Sequence, residues 1–92
     1  MQRIVPMKTK GGNPARNQNK VFDTDGVHFY SYGSKIATLY LGMDFYKETP
    51  KLYNPYWNMY SATTNYYLLQ FLEEDSIKEI RKKVISGDYL VV

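Results

Sequence analysis

Few side chains in this sequence carry reactive chemistry, and their spacing decides what they can do. His28 is the one imidazole and there is no cysteine, so thiolate metal ligation, iron–sulfur clusters and a cysteine nucleophile are excluded. His28 follows Asp23 and Asp25. In a helix-loop-helix calcium loop those aspartates would be the third and fifth positions, leaving Val21 first and Tyr32 twelfth, where carboxylates are required. Asp23-Thr24-Asp25-Gly26 reads instead as turn chemistry, and no metal or cofactor is expected.

Nucleophilic catalysis needs a hydroxyl beside a base that a third group orients, and no serine stands in a Gly-x-Ser-x-Gly elbow. Glu73, Glu74 and Asp75 are adjacent carboxylates, but they precede a helical pattern and fit a solvated, dipole-capping place. Gly11-Gly12 lacks the Gly-Lys-Ser/Thr that completes a phosphate-binding loop. Asn54-Pro55-Tyr56-Trp57 resembles the Asn-Pro-Pro-Tyr/Trp loop of amino-methylating DNA methyltransferases without its second proline, and 92 residues leave no room for their cofactor domain. The expectation is a protein that is not an enzyme.

What remains is contact chemistry. Nine of the fifteen aromatic residues fall between Tyr40 and Tyr67. Adjacent Tyr66 and Tyr67 cannot both face one helical core stripe, so some of these rings are expected at the surface. Tyrosine and tryptophan offer rigid area with a polar tip, suited to protein interfaces and to base stacking. Tyr46, Tyr56 and Tyr66, with the basic Lys78, Arg81 and Lys82, are the candidate partner-binding residues. Charge points to an alternative: Arg3, Lys8, Lys10, Arg16 and Lys20 give residues 1–20 a charge of +5, while the remainder sums to −2. These five are the candidates for nucleic-acid contact through counterion release.

The elements that position these residues follow from periodicity. Lys10-Gly11-Gly12-Asn13-Pro14 resists regular structure, so residues 1–16 are expected to form a basic, irregular N-terminal arm, with a single domain over 17–92. Lys20-Val21-Phe22 and Val27 to Tyr32 flank Asp23 to Gly26, a hairpin in which the Asp-Gly pair is expected to take positive φ. A turn at Tyr32-Gly33-Ser34 leads to a third strand from Lys35 to Leu41, in which Ile36, Thr38 and Tyr40 alternate with Ala37, Leu39 and Leu41. Lys51-Leu52-Tyr53, just before Pro55, reads as a short edge-type strand.

Beyond it the period changes. Tyr60, Thr64, Tyr67, Leu68, Phe71 and Leu72 recur at spacings of three and four, one face of a helix with Ser61 as N-cap. Ser76-Ile77-Lys78-Glu79 matches a capping box, Ile77, Ile80 and Val84 form a stripe, and Gly87 closes the second helix. Asp88 to Val92 is expected to be a closing strand. The fold class is therefore α+β: a mainly antiparallel three- to five-stranded sheet packed on one side by two short helices.

Ninety-two residues support one core. The lack of cysteine suits a reducing compartment, and there is neither a signal-peptide pattern nor a span of about 20 apolar residues, so a cytoplasmic, non-membrane protein is expected. An edge at Lys51 to Tyr53 or Tyr89 to Val92 would allow a homodimer by strand addition.

The run Tyr30-Ser31-Tyr32 through Ile36-Ala37, then Trp57-Asn58-Met59-Tyr60-Ser61-Ala62-Thr63-Thr64 and Tyr67 to Leu72, resembles a family of small uncharacterised bacteriophage proteins. In that family an aromatic strand precedes a Trp-x-Tyr-Ser-x-Thr-Thr helix start, and this chain has one extra residue between Trp57 and Tyr60. The resemblance covers roughly residues 20–72. It implies a phage-type interaction protein acting in the host cytoplasm on a host protein, including the inhibition of a defence nuclease, and it implies no active site. A small nucleic-acid-binding module using the basic arm and exposed tyrosines is the alternative.

Overall fold

The structure, a computed structural model, describes residues 3–24, 26–40, 49–53 and 61–92. Tyr46, Tyr56, Trp57 and Tyr60 lie outside the described residues. Strands β1 (Arg3–Lys8), β2 (Pro14–Phe22), β3 (Gly26–Ser31), β4 (Ser34–Tyr40) and β5 (Lys51–Leu52) precede helices α1 (Ala62–Leu72) and α2 (Ile77–Ser86), and β6 (Leu90–Val91) follows. They form one six-stranded sheet in sequence order, antiparallel except for the parallel β5–β6 pair. The fold is α+β, as expected, with one strand more than the upper count.

The additional strand is β1, and it corrects the expectation of an irregular arm over residues 1–16. Arg3 to Pro6 pair antiparallel with Phe22 to Asn19, and Gly11-Gly12-Asn13 lie in the turn of this hairpin, with Pro14 opening β2. Thr9 N–H donates to the Asn13 carbonyl at 2.8 Å and Gly12 N–H to the Thr9 carbonyl at 2.9 Å, with Gly12 at φ 84°. Glycine and proline punctuated a hairpin rather than ending the domain. Pro6 is tolerated because β1 is an edge strand. The Gln70 side chain accepts from Lys8 N–H at 3.1 Å and donates to Lys8 C=O at 2.9 Å, occupying ladder groups that an edge otherwise leaves open.

Two irregularities set which residues face the core. Asn17 has φ 59°, and the β1–β2 register shifts between Pro6 and Lys8, so Ala15 and Gln18 are both buried although three positions apart. The β3–β4 register shifts between Phe29 and Tyr30, which leaves Ile36 as an extra residue and buries it together with adjacent Ala37.

The expected β2–β3 hairpin is present, closed by Asp23 N–H to the Gly26 carbonyl at 2.8 Å. Its glycine works differently from the expectation, because Gly26 is not among the positive-φ residues. A Cβ on Gly26 would strike the Leu39 carbonyl oxygen of β4, so the side chain is absent to allow close backbone approach.

Both helices contact one face of this sheet, and the expected stripe is the buried one: Thr64, Tyr67, Leu68, Phe71 and Leu72 of α1. Phe71 stacks on Phe29 at 5.6 Å between ring centroids, and Met7, Leu52, Leu68 and Ile80 are fully buried around them. Ser61 accepts from Thr64 N–H at 3.2 Å, Ser76 accepts from Glu79 N–H at 3.3 Å, and Gly87 ends α2 at φ 87°, each in its expected place. Glu74 bonds Lys83 of α2 at 2.5 Å and ties the interhelix connection to the second helix.

β5 is not an edge. Leu52 pairs with Ala37 on one side and Val91 on the other, so dimerisation through Lys51 to Tyr53 has no free ladder to use. The downstream proline gave the wrong cue because the closing strand returns parallel to β5 from beyond α2. No helix among the described residues is long and apolar enough to cross a membrane.

Candidate functional site

The sequence-predicted candidates divide between separate surfaces. Tyr66 is 41% exposed on α1, set edge-on against Tyr67 at 4.9 Å. Lys78, Arg81 and Lys82 are exposed on α2 at i, i+3 and i+4. Arg3 sits with its guanidinium carbon 4.8 Å from the Phe22 ring centroid. Lys20 borders a groove with Gln70 and Phe71 on the helical side. Lys8 is held by Gln70, Lys10 lies in the β1–β2 turn, and Arg16 is exposed on β2. Through the pairs Arg3↔Phe22 and Lys20↔Phe29, Arg3 and Lys20 share the helical side of the sheet.

A different group comes together on the face of the sheet turned away from the helices. The side chain alternates sides along a strand, and cross-strand partners share a side. The pairs Val21↔His28, Asn19↔Tyr30, Gly26↔Tyr40, His28↔Thr38, Tyr30↔Lys35 and Thr38↔Lys51 therefore place Asn19, His28, Tyr30, Lys35, Thr38, Tyr40, Lys51 and, two residues on, Tyr53 on one face. Three tyrosines and two lysines converge here. None of the described strand residues of this face is acidic.

The group is joined by a hydrogen bond and by cation–π contacts. His28 Nδ1 lies 2.7 Å from Thr38 Oγ1, both side chains being buried. Thr38 and Tyr40 are polar neighbours of the Tyr53 phenol and lower its pKa. Lys35 Nζ stands 4.9 Å from the Tyr53 ring centroid and Lys51 Nζ 5.1 Å from that of Tyr40, cation–π distances that hold both lysines over the aromatic rings.

Burial pushes the Tyr53 phenol up, but Thr38 and Tyr40 and the charges of Lys35 and Lys51 outweigh it, leaving the phenol below its ordinary value. The positive potential that eases proton loss from Tyr53 also attracts an anion. Beside this cluster, a groove of about 250 Å³ is lined by Ile4, Asn19, Val21, Tyr30 and Gly33. The arrangement offers aromatic faces, an aliphatic slot and two cations, the components of an anion-bearing, aromatic ligand site. Among the described residues no three His, Asp or Glu side chains gather as a metal site.

Sequence reasoning passed over Tyr30, Lys35, Lys51 and Tyr53. The available signal was parity: His28 with Tyr30, Thr38 with Tyr40, and Lys51 with Tyr53 are each two apart. Register across strands was missing, and it is register that gathers them. Comparison of the chain with protein families, with curated proteins and with solved structures finds no match.

Proposed function

We propose that this chain is a non-catalytic binding protein for single-stranded nucleic acid, using the sheet face opposite α1 and α2. The observation that carries the reading is the convergence of Tyr30, Tyr40 and Tyr53 with Lys35 and Lys51 on that face. Tyr30, Tyr40 and Tyr53 are half-buried and Lys35 is exposed beside them; aromatic faces stack on bases of any sequence, and neighbouring lysines neutralise the phosphates. The interface moves from the basic N-terminal residues to the middle of the sheet.

The test is fluorescence anisotropy of a labelled oligothymidylate of about a dozen nucleotides. With two phosphates neutralised, affinity falls roughly sevenfold between about 50 and 200 mM salt. Lys35→Glu combined with Lys51→Glu removes that dependence along with most of the binding. An unchanged anisotropy at the lowest salt defeats the reading.

A protein partner is the second reading, favoured by α2. Lys78, Arg81, Lys82 and Ile85 follow one another at i, i+3, i+4 and i+7, all exposed, and Ile85 is 87% accessible. Together with the resemblance to small phage proteins, this stripe supports an acidic segment of a host protein, a defence nuclease among them, as the partner. Charge reversal at Lys78, Arg81 and Lys82 leaves oligonucleotide affinity intact if the sheet face is the nucleic-acid site, and lowers it if α2 is.

A further inference from the structure

The connection between β3 and β4 consists of Tyr32 and Gly33, closing the Ser31↔Ser34 pair. Both have positive φ, 52° and 82° respectively, the pattern of a type I′ hairpin turn. Asn, Asp and Gly take the first position of such a turn with least strain, because a β-carbon in the left-handed region crowds its own backbone. A tyrosine is an unfavourable choice there. Packing does not explain it either, since Tyr32 is 63% exposed.

A strained backbone position occupied by a large exposed ring points to a use for that ring. The next residue, Gly33, lines the groove formed with Ile4, Asn19, Val21 and Tyr30, so the Tyr32 Cα stands one peptide unit from a lining residue of the slot, although Tyr32 itself is not part of that lining. The slot has aliphatic walls, one amide and one phenol. Lys35 lies directly across from Tyr30, one pair in from the turn, with its ammonium on the same face.

We infer that Tyr32 is a base-stacking residue, held at the end of this slot by the turn so that its ring covers a nucleobase seated against Tyr30, Ile4 and Val21. The inference rests on the nucleic-acid reading of the sheet face and adds to it a defined subsite. Asn19 supplies the amide that meets the edge of the base, and Lys35 meets the adjoining phosphate. The strain at Tyr32 is retained because the residues that would relieve it have no aromatic face.

Three proteins decide the matter: wild type, Tyr32→Asn and Tyr32→Phe, titrated against labelled oligothymidylate at low salt and melted in its absence. Tyr32→Asn is expected to bind roughly tenfold more weakly with the same salt slope, since a stacking face is lost and no charge is. Its thermal midpoint is expected to rise by roughly 5 °C, because asparagine suits the turn. Tyr32→Phe keeps the ring and binds as wild type does. Wild type binding with Tyr32→Asn equal to it overturns the inference while leaving the nucleic-acid reading in place. Tyr32→Phe falling as far as Tyr32→Asn overturns it too, since the hydroxyl rather than the face would then carry the contact. A wild type that binds nothing removes the nucleic-acid reading and this subsite together.

Discussion

Thr38 on β4 holds His28 on β3 across the sheet, its Oγ1 2.7 Å from Nδ1 of the imidazole, and Thr38 is also a polar neighbour of the Tyr53 phenol. A threonine hydroxyl has one proton and two lone pairs, so it can bridge two polar neighbours at once. Thr38 is fully buried, which makes its bond to His28 expensive to lose.

Thr38→Val keeps the shape and removes the hydroxyl. His28 then lacks its Nδ1 partner in a buried site, and the folded state is expected to lose about 1–3 kcal/mol. Denaturant melts measure this. A variant as stable as wild type would show that the Thr38 hydroxyl contributes nothing net to the cluster.

Tyr53 and Tyr89 titrate in opposite directions. Burial raises Tyr53, but its polar neighbours and the two lysine charges prevail and set it below 10.0; at Tyr89 burial leads, Glu74 adds to it, and the phenol is raised above 10.0 against the opposing charge of Lys83. For Tyr53 the unfolded chain keeps its proton to higher pH, so the stabilisation is complete above about 10 and is lost as pH falls through the lower folded value. For Tyr89 the stabilisation is complete below about 10 and is lost as pH rises through the higher folded value. Ultraviolet titration of phenolate absorbance checks both: Tyr53→Phe removes an early step and Tyr89→Phe a late one.

Gly26→Ala places a methyl group against the Leu39 carbonyl oxygen. The obstacle is backbone of the neighbouring strand, so β3 and β4 must separate, and a loss of about 1–3 kcal/mol or more is expected. Gly12→Ala meets open space and strains only its own φ of 84°, for about 1 kcal/mol. Equal denaturation midpoints for the two variants would contradict this assignment.

Gln18 is 1% exposed, and neither Nε2 nor Oε1 has a hydrogen-bond partner among the described residues. An amide buried without partners is destabilising, so Gln18→Leu is expected to raise stability by roughly 1–3 kcal/mol. Equilibrium unfolding that shows a less stable variant would mean that the amide is satisfied in solution.

The capping serines 61 and 76, the Gly87 stop and the α1 stripe were legible because each is a local signal, complete within one or two helical turns. The N-terminal hairpin is not legible at Gly11-Gly12. The same glycines that break a helix or strand also make a hairpin turn, and only the pairing of Arg3 to Pro6 with Asn19 to Phe22 distinguishes the two. Lys51-Leu52-Tyr53 is legible as a strand, but its place inside the sheet is not, since the residues that pair on its other side, Leu90 and Val91, come about forty positions later.

By itself the sequence determined the helices, their caps, the hairpin pattern of the central strands and the opposition of His28 to Val27 and Phe29, because those depend on periodicity and on side-chain chemistry at short range. Tertiary structure alone decided which residues share a surface. Two register shifts, one at Asn17 and one at Ile36, determine how each strand meets its neighbour. A slip of a single residue turns every later side chain to the other face. The grouping of Tyr30, Lys35, Tyr40, Lys51 and Tyr53 is therefore a property of pairing across the sheet rather than of any one segment.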